Sequence, residues 1–219
     1  MMNQLRRLWD IPFTIRPSFY LMIGVLTLIN LVVLGAAGII NTLYLVSIFF
    51  FVILHEYGHC WAAHRCGLQV REVSLWALGG QAHIAGIEEL TPKEDIKVSF
   101  AGPLVNIVIC LVCWPIHHFL DPHLLGAQVL SSVVSVNLIL AIFNLIPAFP
   151  LDGGRILRAL LTLRYGAWKA TQLSVKIGKG FAIAFGLVAV FTGNFFLVLI
   201  AFFIWEFCQK MADRPDMML

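Results

Sequence analysis

Residues 49–64 read FFFVILHEYGHCWAAH, which sets His55 and His59 one helical turn apart in an otherwise apolar stretch, with Glu56 between them. Ionisable side chains at bilayer depth cost several kcal/mol and are by default functional. The spacing is H-E-x-x-H, whose two imidazoles share one helix face and can bind Zn²⁺, while the Glu can serve as general base toward the attacking water. The alternative is polar glue, with the three side chains bonded to neighbouring helices. Three such groups within one turn, and no other charge in the preceding apolar run, favour a zinc hydrolase working inside a membrane.

Composition supports that setting. The chain has 219 residues, of which 60% are hydrophobic and only 12% charged, with mean hydropathy +0.88. These values lie far outside the soluble norm and predict an integral membrane protein of one domain, residues 1–219. Five cysteines offer no disulfide framework. Cys110 and Cys113 have C-x-x-C spacing but lie in an apolar run, where small buried hydrophobes are the better reading. A net charge of +3 gives no case for nucleic acid as a partner.

The expected fold is an all-α polytopic membrane protein. Apolar runs predict helices at about 18–36, 43–65, 97–118, 127–147, 173–192 and 194–208. With the N-terminus cytoplasmic, all fifteen Lys and Arg fall on one side, as the positive-inside rule asks. Arg6, Arg7 and Arg16 precede the first span, the loops after the second and fourth carry most of the rest, and Lys210 and Arg214 follow the sixth. Six spans with both termini cytoplasmic are therefore expected, in the cell membrane. Gly35-Ala36-Ala37-Gly38 is small enough for signal-peptide processing, but the apolar segment is long for that role and a retained helix is favoured. Counting from Leu43, twelve residues place the His pair about 18 Å into a core of about 30 Å, so a polar cavity must bring water to it.

A catalytic zinc takes three protein ligands. A third His in the H-E-x-x-H-x-x-G-x-x-H pattern is excluded, because Ala62 and Arg65 hold those positions and His64 is off by one. Glu72, Glu88, Glu89 and Glu94 read as solvated loop charges, with Thr91-Pro92-Lys93-Glu94 a capping box that opens the third span. Asp152, in FNLIPAFPLDGGR, is the better candidate. Pro147 and Pro150 must unwind the fourth span, and Gly153 and Gly154 allow close backbone approach. Irregular backbone at membrane depth belongs in a cavity or inside protein. A helix-capping role for Asp152 is the alternative.

Three motifs together resemble the site-2 protease family of intramembrane metalloproteases: His55-Glu56-x-x-His59, Ala101-Gly102-Pro103-Leu104-Val105-Asn106, and Asn144-x-x-Pro-x-x-Pro-x-Asp152-Gly153-Gly154-Arg155. The match runs from about Ile11 to about Leu163. The resemblance implies one zinc per chain, bound by His55, His59 and Asp152, with Glu56 activating water and Asn144 beside the site, contacting substrate or the developing oxyanion. Asn106 would be substrate-proximal or a plain helix–helix hydrogen bond. Val70–Ile84, with Gly79 and Gly80, resembles the family's membrane-associated β-hairpin, to which Ile11–Ile15 adds a strand. An unwound substrate would bind there as a further strand, putting Gly79 and Gly80 close to it. His83 would assist there or be a plain loop histidine.

The implied substrate is a membrane-tethered, regulatory protein cut within or near its transmembrane segment. No room exists for a PDZ insertion between His59 and Asp152, and no CBS pair follows Asp213, so the expectation is a minimal core, or a piece of a longer protein, controlled by a separate membrane partner or by substrate supply. The last two helices (173–208) would form a gate or simply pack, through Gly178, Ala182 and Gly186 at every fourth residue. A metal transporter is disfavoured because the outer half of the membrane is nearly bare of carboxylate and imidazole. An inactive scaffold is disfavoured by the retained base, Glu56.

Overall fold

A computed structural model describes residues 11–77, 79–121 and 123–213. Arg6, Arg7 and Arg214, used above for orientation, lie outside the described residues. Strand β1 (Phe13–Ile15) is followed by helices α1 (Pro17–Leu34) and α2 (Ala37–Arg65), then by strands β2 (Gln69–Trp76) and β3 (Gly79–Ala85). Helices α3 (Pro92–Phe119), α4 (Leu125–Asn144), α5 (Asp152–Tyr165), α6 (Ala167–Thr192) and α7 (Phe195–Asp213) complete the described chain. All but α5 are long and apolar enough to cross a membrane, which gives the six spans expected.

The chain divides into two compact units, residues 1–85 with 104–141 and residues 86–103 with 142–219. In the first, α1 and α2 form a hairpin whose turn is only Gly35 and Ala36, so α2 begins at Ala37, earlier than the apolar run suggested. Gly35 closes α1 in a positive-φ conformation and its N–H bonds back to Leu31 O. A Cβ on Gly38 would strike the backbone of Asn30, which gives the small residues at this turn a packing reason. The Asn30 carboxamide then bridges the pair, donating to Thr42 Oγ1 at 3.2 Å and accepting from Asn41 at 3.1 Å. Because of the early start, His55 is eighteen residues, about 27 Å, from the beginning of α2 and ten residues, about 15 Å, from Arg65.

The sheet of the first unit has the order β1-β2-β3. β1 pairs parallel with β2, and β2 antiparallel with β3 with an irregularity between Val70 and Glu72. Val73, Ser74 and Leu75 of β2 are buried. Arg16, just after β1, and His83 on β3 both approach Glu72 at 3.4 Å, so His83 pairs across the strands with Glu72 and is not a member of the metal-ligating group. Cys110 and Cys113 are unpaired and half-buried, and Cys110 donates to the Val134 carbonyl at 3.4 Å.

In the second unit, Thr91 and Glu94 make the expected capping box, with the Thr91 N–H bonded to Glu94 Oε2 at 3.0 Å and the Glu94 N–H to Thr91 Oγ1 at 3.4 Å. Chain beyond Asn144 leaves the helix as the prolines require, and the Phe149–Pro150 peptide is cis. α5 was not anticipated. Its four basic and acidic side chains obscure an apolar face in a hydropathy scan, although the segment is amphipathic at helical period. Asp152 is accordingly the first residue of a helix, rather than part of an irregular stretch. α6 starts at Ala167, six residues before the predicted span.

Gly178 and Ala182 lie on the packing face between α6 and α7, as their spacing predicts. A Cβ on Gly178 would come 2.6 Å from Cys208 Sγ, and both Cys208 and Ala182 are buried with Ile204, Phe149 and Val175. Lys179 bonds Gln209 Oε1 and sits 5.0 Å above the Trp205 ring, tying α6 to α7.

Candidate active site

Helix α2 places His55 and His59 on one face, four residues apart, both buried at 4% and 8% exposure. Their Nε2 atoms are 3.1 Å apart. Two imidazole nitrogens that close share either one proton or a cation, because two facing lone pairs otherwise repel. Two nitrogens on a tetrahedral zinc would stand about 3.3 Å apart given bonds of about 2.0–2.1 Å, so the spacing suits a metal. The ligand atoms of His55, His59 and Asp152 all lie within 4.8 Å of one another, and this is the one such group among the described residues. Nitrogen and carboxylate oxygen donors of this kind suit a single Zn²⁺.

The His55 ring is held from behind. Its Nδ1 lies 2.6 Å from Asn106 Oδ1, an atom that only accepts, so the contact is a hydrogen bond when the ring carries a proton on Nδ1, and Nε2 faces His59. Imidazoles that bind metals are oriented in this way by partners of their other nitrogen. Asn106 is fully buried and donates in turn to Asn137 Oδ1 at 2.8 Å. Asn106 is therefore bonded to a proposed ligand, which is more specific than the two roles considered from sequence.

Glu56, the next residue on α2, is tied to the sheet. The Ala82 N–H donates to Glu56 Oε2 at 3.0 Å. The register explains why that N–H is available. Val73 pairs with Ala82, and the Val73 N–H is directed to Pro12 O, on the β1 side. The two therefore form the non-hydrogen-bonded kind of antiparallel pair, with the Ala82 amide turned outward from β2. Gly80 occupies the same edge, and a Cβ there would come 2.7 Å from Glu56 Cγ. Gly79 has φ +144°, a conformation that favours glycine.

Asp152 owes its position to the glycines behind it. A Cβ on Gly153 would meet the carbonyls of Leu145 and Ile146, and one on Gly154 would meet the backbone of Ala148 and Phe149 at 2.6–2.8 Å. One turn on, Arg155 Nη2 bonds Asp95 Oδ1 at 2.6 Å, and Ser99 Oγ bonds the same oxygen at 3.3 Å. Asn144 closes α4, immediately before the break.

Three contributors were not singled out in the sequence. Asn137 carried a usable signal, a carboxamide inside an apolar span. Asp95 was hidden among loop acids. Ala82 acts through its main chain, so its side chain gives no signal at all.

The profile of peptidase family M50 matches residues 43–131 and 123–187. The chain belongs to peptidase family M50. This M50 chain is 32% identical over 206 residues to a zinc metalloprotease of Methanocaldococcus jannaschii, with 92% of this chain and 58% of that protein covered. It is also 26% identical over 147 residues to the stage IV sporulation protein FB of Bacillus subtilis, covering 67% and 50%. It thus spans 58% and 50% of the length of these two relatives. Among solved structures it is similar to a site-2 protease from Methanocaldococcus jannaschii, with TM-score 0.68, 31% identity and coverage of 92% of this chain and 90% of the other. The fold and family expected from the three motifs are those found.

Proposed function

We propose that this M50 chain is an intramembrane zinc endopeptidase that hydrolyses a peptide bond within or near the transmembrane segment of a membrane-tethered protein. The observation that carries the reading is the convergence of His55, His59 and Asp152 to within 4.8 Å, next in sequence to a carboxylate that is not one of them. His55, His59 and Asp152 would hold the zinc. When bound, zinc supplies Lewis acidity, acidifying water and polarising the scissile carbonyl. Glu56 takes the water's proton and passes it to the leaving nitrogen. The Ala82 N–H holds one of its oxygens, which fixes the direction of the other. Asn144 donates to the carbonyl oxygen as charge develops there.

Substrate enters as an unwound strand beside β3; the space over Gly79 is open and leaves room for its backbone, whereas Gly80 lies against Glu56 and brings the substrate close to that carboxylate. The Lys and Arg distribution supports an orientation with both termini cytoplasmic, which puts the metal site nearer the cytoplasmic end of α2. Control by a separate membrane partner belongs to the same reading. The test compares membrane proteomes of cells carrying wild type or Glu56→Gln. A single-pass protein that accumulates uncut with the variant, while its fragments vanish, is the expected result. No difference, with a variant that is expressed and holds zinc, refutes the proposal.

A further inference from the structure

Asn137 belongs to none of the motifs that mark the family resemblance, yet it is fully buried and hydrogen-bonded at both ends of its carboxamide. Its Nδ2 donates to the Val133 carbonyl at 2.8 Å, and its Oδ1 accepts from Asn106 Nδ2 at 2.8 Å. A backbone carbonyl can only accept. Val133 therefore decides which end of the Asn137 amide is oxygen. That oxygen decides which end of Asn106 is nitrogen, and the remaining oxygen of Asn106 faces His55 Nδ1 at 2.6 Å. Reversing either amide would set oxygen against oxygen or nitrogen against nitrogen among buried groups, leaving polar atoms without water or a partner.

We infer that Asn137 is a positioning residue for the metal site: through Asn106 it imposes the Nδ1–H tautomer on His55, so that Nε2 presents its lone pair to zinc. This rests on the proposed role of His55 as a ligand. Without Asn137, Asn106 has no partner that sets its direction. In the flipped arrangement its NH₂ faces Nδ1, the ring proton moves to Nε2, and the ligand atom is blocked. Helix packing alone would ask only that position 137 be filled. The relay asks for an acceptor facing Asn106 and a donor facing Val133.

The two readings separate with Asn137→Leu and Asn137→Asp. Leu fills the space and has no polarity. Asp always offers an oxygen to Asn106 and, when protonated in its apolar setting, reproduces both bonds. In full-length protein in detergent, zinc affinity by chelator competition should fall about 10–100-fold for Asn137→Leu, the range for loss of an outer-shell partner. It should stay near wild type for Asn137→Asp. Histidine ¹⁵N NMR of the zinc-free wild type should show His55 as the Nδ1–H tautomer, and Asn137→Leu should show a mixture.

Asn137→Leu that keeps both wild-type affinity and a pure Nδ1–H signal overturns the inference, as does Asn137→Asp that loses as much as Leu while folded. If Asn137→Leu does not fold, the wild-type spectrum still decides, since an Nε2–H tautomer there is incompatible with the relay. Failure of the wild type to bind zinc, with the tautomer as expected, would instead count against the metal-site reading and leave the relay standing.

Discussion

The Ala82 N–H donates to Glu56 Oε2 at 3.0 Å, so the outer strand of the sheet and the Glu56 carboxylate on α2 fix one another. A side chain at the neighbouring edge position has to disturb that arrangement. Gly80→Ala puts its Cβ 2.7 Å from Glu56 Cγ, and displacement of a catalytic group by as little as about 1 Å can cost about 10²-fold in rate. The expected outcome is a loss of cleavage of that order with zinc content and thermal midpoint close to wild type. Cleavage assays beside metal analysis check it.

Glu56→Gln keeps shape and removes the carboxylate proposed as base. Zinc stoichiometry should stay at one per chain, while turnover falls about 10²–10⁴-fold.

Asp152→Ala should differ by losing metal and turnover together. Stripping wild type with a chelator should reproduce that loss, and adding back Zn²⁺ should reverse it only where Asp152 is present. Elemental analysis and cleavage on the same preparations distinguish the cases.

The Arg155–Asp95 bond ties the first turn of α5 to the start of α3. Asp95 is 12% exposed at its side chain and also accepts from Ser99. Charged hydrogen bonds in such settings contribute about 1.5–3 kcal/mol. Arg155→Met should lower stability by that order and weaken zinc binding, because Asp152 sits three residues before it. The double variant Arg155→Met with Asp95→Leu should recover part of the stability, since no charge is left without its partner. Thermal unfolding in detergent reads the first effect and chelator competition the second.

Gly178→Ala forces a methyl toward Cys208 Sγ and should cost about 1–3 kcal/mol, as overpacking does. Adding Cys208→Ala frees space at that contact, so the double variant should be more stable than Gly178→Ala alone. Such coupling is the mark of a direct contact.

Much of this was legible in the sequence because membranes make polar residues conspicuous. Six apolar runs gave the six spans, and His55, Glu56, His59 and Asp152 stood out as ionisable groups that an apolar run does not explain. The β-hairpin and the Thr91–Glu94 box were equally plain. What stayed hidden had physical reasons. Helix α5 carries Asp152, Arg155, Arg158 and Arg164 within fourteen residues, and a window that averages hydropathy loses its apolar face. Helix starts at Ala37 and Ala167 depend on turns of two and one residues, which no apolar count detects. The partners of Glu56 and His55 lie 26 and 51 residues away, and only the folded chain brings them together.

Cys208 is fully buried in the packing of the second unit, directly under Gly178. A thiol in that position meets a reagent only when α6 and α7 separate. With the other cysteines replaced, its modification rate by a thiol reagent becomes a clock for that separation in native membranes, with the chain's own side chain as the reporter. Comparing the clock with and without substrate would time a gate, or show that these two helices never part during turnover.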